Sequence, residues 1–134
     1  MFSHIQIGAR DLTRMVAFYD AVLGCLGLER MPSEDDSGPP GEGWHQPGKH
    51  WPQVFVQVPI NGLPATWGNG MQVSFAADSQ QAVRDAWETA IDMGGFDEGA
   101  PGPRPQYSKD YYGAYCRDPE GNKLCFVHTP DMHD

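Results

Sequence analysis

Positive charge is scarce in this chain: 9 lysines and arginines stand against 18 aspartates and glutamates, a net charge of −9 with histidine neutral. A surface of that sign repels phosphate backbones and anionic headgroups, so neither nucleic acid nor a membrane surface is expected as a partner. Long apolar runs are missing too, since no stretch approaches the ~20 residues needed to span a bilayer. Met1-Phe2-Ser3-His4-Ile5 lacks a basic segment followed by an apolar one, so no secretory signal is expected. Cysteine is limited to Cys25, Cys116 and Cys125. Three thiols cannot all pair, and their spacing matches neither a zinc knuckle nor a CxxC redox pair. Free thiols in a reducing cytoplasm are the expectation.

What is present suffices for a core. Hydrophobic residues are 40% of 134, which excludes intrinsic disorder and suits one compact unit. His4-Ile5-Gln6-Ile7 alternates like a strand. Asp11 stands where a helix N-cap would, and Leu12, Met15, Val16, Tyr19, Val22, Leu23 and Leu26 recur at helical steps until Gly27. Residues 32–50 are rich in breakers and read as a loop, although they carry Trp44, His45 and His50 with Trp51 just beyond. Val54 to Val58 reads as a strand ended by Pro59 and the Asn61-Gly62 turn.

A second pass follows. Met71 to Ala76 reads as a strand and Ser79 as a cap. Ala82, Val83, Ala86, Trp87, Ala90 and Ile91 form a helical stripe stopped at Gly94-Gly95. Residues 99–105 read as a loop. Gly113 to Arg117 is a strand, Asp118-Pro119-Glu120-Gly121 a turn, and Lys123 to Val127 the closing strand. His4 matches Gln72, Asp11 matches Ser79, Tyr19 matches Trp87 and Gly27 matches Gly95, each 68 residues on. The same offset carries Gln57 onto Cys125. The chain therefore reads as two copies of one unit, residues 1–62 and 70–128, with a short tail at 129–134.

This order resembles the vicinal-oxygen-chelate superfamily, the fold of glyoxalases, bleomycin-resistance proteins and extradiol dioxygenases. The resemblance rests on His4 in the first strand, Asp11-Leu12 opening a helix with Ala17-Phe18-Tyr19, and Leu23 to Leu28 after it. Its most specific part is Tyr111-Tyr112-Gly113-Ala114 followed by Arg117-Asp118-Pro119-Glu120-Gly121-Asn122-Lys123-Leu124. It implies an α+β fold, a single glyoxalase-like domain over 1–128 in which two βαβββ repeats form a cleft between curved mixed sheets. It also implies a divalent metal in that cleft (zinc, nickel, manganese or iron), held by His4, Gln57, Gln72 and Cys125, and a homodimer.

Of the four, only His4 matches the family pattern well, Gln72 replacing a frequent histidine and Gln57 being a neutral ligand. Cys125 stands where the family typically places a glutamate, so the set has no carboxylate for a hard cation and no carboxylate base. A thiolate there suits zinc, iron or copper, while a cysteine between Leu124 and Phe126 equally reads as a small core residue. Tyr107, Tyr111, Tyr112, Trp44, Trp51 and Arg104 are candidates to line a small-molecule site, with Lys109 a further cation. His45 and His50, with Trp44 and Trp51, read either as an aromatic wall or second metal pair, or as a loop anchored by tryptophans. The leading expectation is a metal-dependent lyase, isomerase or dioxygenase acting on a small oxygen-bearing substrate, with a non-standard metal site. The alternatives are a metal-free drug-binding protein of the bleomycin-resistance type and a structural or regulatory dimer.

Overall fold

The computed structural model describes residues 1–32 and 37–133. Its first half runs β1 (His4–Gly8), α1 (Leu12–Cys25), β2 (Glu29–Arg30), β3 (Gly41–His45) and β4 (Gln53–Gln57). The second half runs β5 (Val73–Ala76), α2 (Gln80–Asp92), β6 (Phe96–Pro103), β7 (Tyr112–Arg117) and β8 (Lys123–His128), and a 3-10 turn at Pro130–His133 follows. Each half is a βαβββ unit. The sheets are ordered β1-β4-β3-β2 and β5-β8-β7-β6. In each, the first strand lies parallel to the last and the other pairings are antiparallel, so the expected α+β fold with two mixed sheets is what forms.

Local chemistry sets the helices. Asp11 accepts from the Arg14 amide, and Ser79 from the Ala82 amide, each satisfying one of the free first-turn donors. Both helices end on a glycine in the left-handed region, Gly27 at φ +80° and Gly94 at φ +95°. Leu28 N–H bonds back to the Leu23 carbonyl and Gly95 N–H to the Ala90 carbonyl, closing each helix in the same way. The stop that matches Gly27 is therefore Gly94 and not Gly95, because α2 is one residue shorter than α1.

Three strands escape the sequence pattern. β3 lies inside segment 32–50, expected to be a loop, of which residues 33–36 fall outside the described chain. Glycines at 41 and 43 remove the apolar alternation that marks a strand, yet any side chain there would collide. A Cβ on Gly41 would sit 2.3 Å from the Cβ of Gln57, and one on Gly43 2.5 Å from the Met31 side chain. β2 is too short to show a period, and β6 carries two register shifts around Gly99 that break its alternation.

Alternation along the strands sorts two faces. Ile7, Trp44, Val54, Val56, Phe75, Ala114, Cys116, Leu124 and Phe126 face the helices and join Met15, Phe18, Tyr19, Val22, Leu23, Val83, Ala86 and Ala90 in one core. The residues between them lie on the opposite, open face of each sheet. The alanines on α2 are small enough to let α1 pack against that helix.

The repeat is not uniform. His4 faces Gln53 in the first sheet, a separation of 49 residues, whereas Val73 faces Leu124 in the second, a separation of 51. The Ala9 amide bonds to the Gln57 carbonyl and the Ala77 amide to the Val127 carbonyl. Gln57 thus corresponds to Val127, and Cys125 to Phe55. The expected equivalence of Gln57 and Cys125 is off by two residues, because the loops between the halves' later strands differ in length.

Candidate functional site

On the open face of the second sheet, β7 presents Gly113, Tyr115 and Arg117, and β8 presents Lys123, Cys125 and Val127. Gly113 leaves this surface flat enough for the Tyr111 ring, which would lie 2.8 Å from a Cβ at that position. Tyr111 then covers Cys125, which is wholly buried though outside the core cluster. The Tyr111 hydroxyl stands 3.5 Å from the Cys125 sulfur and 3.1 Å from the Tyr115 hydroxyl. Tyr107 packs edge-on against Tyr111, its ring centroid 5.2 Å away. The Arg104 guanidinium and the Lys123 ammonium each lie 5.8 Å from the centre of the Tyr115 ring. Burial, more than the bond network, holds the Tyr111 hydroxyl well above the ordinary phenol range and raises that of Tyr115. Both phenols therefore stay protonated at neutral pH.

A crevice of about 180 Å³ marks the seam between the halves. It is lined by Gln6 and Gly8 from β1, Thr66, Met71 and Gln72 from the connecting segment, and Lys123 at the start of β8. Lys123 thus belongs both to the crevice and to the tyrosine cluster. On the first sheet His4 is exposed, with Trp51 and Phe55 rings 6.1 and 6.0 Å away and the Ser3 hydroxyl 2.8 Å from its Nδ1. A separate groove is lined by Met31, Gly41, Gly43, Phe55 and Gln57.

The structure gathers Tyr107, Tyr111, Arg104 and Cys125 from the sequence candidates and adds Tyr115 and Lys123, which sequence reasoning missed. Alternation along Gly113 to Arg117 carried a signal for Tyr115, since Ala114 and Cys116 are the small apolar residues of that run. Trp44 and Tyr112 lie on the other face. Trp44 is buried in the core and donates to Asp20, while Tyr112 faces α2, where Arg84 donates to its hydroxyl. Trp51 is half exposed beside His4 and His50. His45 lies 3.5 Å from Glu29, and the His50 carbonyl accepts from the Gln53 side chain. Lys109 is exposed and outside the cluster.

The side chains at the four expected metal positions do not fit a hard cation of the family kind. Cys125 is sealed beneath Tyr111, Gln72 donates its amide to Ser74 (2.9 Å), and Gln57 lines a groove apart from the seam. No carboxylate joins them, and among the described residues no group of three or more His, Cys, Asp or Glu side chains is placed to hold an ion.

The conspicuous Asp118-Pro119-Glu120-Gly121-Asn122 turn proves architectural. Asp118, fully buried, accepts from the Tyr19 hydroxyl, the Asn122 side chain and the Glu120 and Asn122 amides. Burial raises its pKa against the pull of those bonds. Cys116, in the core behind it, is pushed up to about 12 by burial and is unreactive as a nucleophile.

Residues 1–126 match the model of the Glyoxalase/Bleomycin resistance protein/Dioxygenase superfamily. A glyoxalase/bleomycin resistance protein from Albidiferax ferrireducens T118 shares 38% identity and a TM-score of 0.81, over 97% of this chain and 99% of that one. A glyoxalase/bleomycin resistance protein/dioxygenase family enzyme from Burkholderia phytofirmans PsJN shares 22% identity at a TM-score of 0.69, over 94% and 96% of the two chains. A lactoylglutathione lyase from Agrobacterium tumefaciens shares the fold at 19% identity and a TM-score of 0.63, over 98% and 95%. No curated protein matches the chain significantly in sequence. On these grounds the chain belongs to the Glyoxalase/Bleomycin resistance protein/Dioxygenase superfamily.

Proposed function

We propose that the chain binds a small organic molecule on the open faces along its seam, without a family-type metal centre, as a binding protein of the bleomycin-resistance kind. The observation that carries this reading is Cys125. The position where the family typically has a metal-binding glutamate holds a thiol with no exposed surface, roofed by Tyr111. What remains around it is aromatic and hydrogen-bonding, the composition of a site that orients a ligand by shape and a few polar contacts. Trp67, about half exposed against Gly121 and Arg117, stands next to the crevice lined by Thr66 and Gly68 and can report on its occupancy.

A metal-dependent lyase, isomerase or dioxygenase is the second reading. His4 favours it, being exposed at the position the family uses and having, among the described residues, no hydrogen-bond partner on Nε2. Calorimetric titration with zinc, nickel, manganese and ferrous iron separates the two. We expect no stoichiometric uptake, together with ligand quenching of tryptophan fluorescence that survives a chelator. Stoichiometric binding that disappears in His4→Ala would establish the second reading instead. Exposed apolar side chains at Phe2, Ile60, Leu63 and Met71 support a homodimer, and the three free thiols support a reducing cytoplasm.

A further inference from the structure

An acidic chain has set two cations against the Tyr115 ring on the open face of its second sheet, each 5.8 Å from the ring centre, without giving either an acid. Arg104 is half buried, and among the described residues its only polar partners are backbone carbonyls, Ala100 at 2.8 Å and Pro103 at 3.3 Å. Lys123 is half buried and has no hydrogen-bond or carboxylate partner there. A guanidinium carries five N–H groups and an ammonium three, so most of their donors are unspent. The elements that bring them together are specific. The irregular β6 places glycine at 99 and 102, and a Cβ at either would come within 3.5 or 3.0 Å of the Arg104 guanidinium.

The hydroxyl chain beside them has a direction. Cys125, Tyr111 and Tyr115 form two contacts and carry three protons among them. Were Tyr115 to donate inward, through Tyr111 to the sulfur, the remaining proton would sit on a buried thiol, a weak donor, with no acceptor among these three groups. Donation outward, from Cys125 to Tyr111 to Tyr115, satisfies the buried end and leaves the Tyr115 O–H for a partner in the cleft. Arg104 and Lys123 each lie over the ring that carries this hydroxyl.

We propose that Arg104, Lys123 and the Tyr115 hydroxyl form an oxyanion subsite that receives the charged group of a small aromatic acid, whose ring packs against Tyr107 and Tyr111. The proposal rests on the binding function above and specifies its ligand class. Charge-assisted bonds from a guanidinium and a phenol to one oxyanion are the strong kind, and the exposed Tyr107 ring supplies an edge for an aromatic ligand.

Calorimetry with benzoate, phenylphosphonate and the uncharged benzamide tests it, with and without chelator. Wild-type protein should bind at least one of the two anions at least tenfold more tightly than benzamide, and the tighter anion identifies the charged group preferred. Arg104→Gln and Lys123→Gln should each remove most of that preference, weakening the anion more than benzamide. Tyr115→Phe should weaken the anion more than benzamide, since the bond lost to an oxyanion is the stronger one. Anions bound no better than benzamide, or a preference intact in both charge variants, would overturn the subsite while leaving a metal-free cleft standing. Absence of any saturable anion binding would overturn it as well. Anion binding abolished by chelator would instead sink the metal-free reading, and the subsite with it.

Discussion

Asp118 has no exposed surface, yet its two oxygens accept four hydrogen bonds, one of them from Tyr19 across 99 residues of sequence at 2.7 Å. Tyr19 is equally buried, so its hydroxyl exists in the core only because Asp118 is there to accept from it. This pair links α1 to the turn before β8. Tyr19→Phe keeps the ring and its packing on Phe18 and Trp44 but withdraws the donor. Urea denaturation should show a loss of about 1.5–3 kcal/mol, the range for a hydrogen bond to a charged group. A loss indistinguishable from zero would mean that water replaces the hydroxyl. The role of Asp118 was legible as a turn in the sequence. Its service to Tyr19 was not, because nothing in either segment names the other.

At the scale of the element, both helices announce their ends by capping residue and glycine, and both ends form as the sequence implies. The start of α1 has a further support that no local pattern contains. Glu120, from the turn before β8, accepts from the Arg10 amide at 2.7 Å and the Asp11 amide at 2.8 Å. A carboxylate there also meets the positive end of the helix dipole. Glu120→Ala should therefore cost about 1 kcal/mol in chemical denaturation, comparable to losing a helix cap, with a smaller loss at high salt. An unchanged midpoint would show that solvent serves those amides equally well. Strands were legible where short apolar runs stand between turn residues, as in β4 and β8. They were illegible where glycine carries the backbone, as in β3 and β6, since pairing with neighbours and not side-chain pattern holds those segments extended.

At the scale of the molecule, the two halves share one core through α1 and α2, and a crevice opens along the seam between them. The exposed Ile60, Leu63 and Met71 of the connecting segment lie next to or within that region. Sedimentation equilibrium at micromolar concentration should give twice the 14.8 kDa chain mass, and Leu63→Glu combined with Ile60→Glu should return it to one. A monomer in the unmodified protein would remove the dimer from the proposal and leave the anion subsite untouched, since its residues all come from one chain.

The sequence by itself determined the class of fold, the two helices with their caps and stops, and the repeat. The helices and their ends follow from periodicity and capping, which act between residues a few places apart, and the class of fold from the superfamily resemblance carried by the order of elements and the Tyr111-to-Leu124 motif. It also named Arg104, Tyr107, Tyr111 and Cys125 as residues of interest. Only the tertiary structure decided that these four meet Tyr115 and Lys123, that Trp44 and Tyr112 turn toward the helices, and that Gln57 answers to Val127. Each of those outcomes depends on strand register and on bulges in β6. A shift of one residue in either sends every side chain to the opposite face, and register is set between segments distant in sequence.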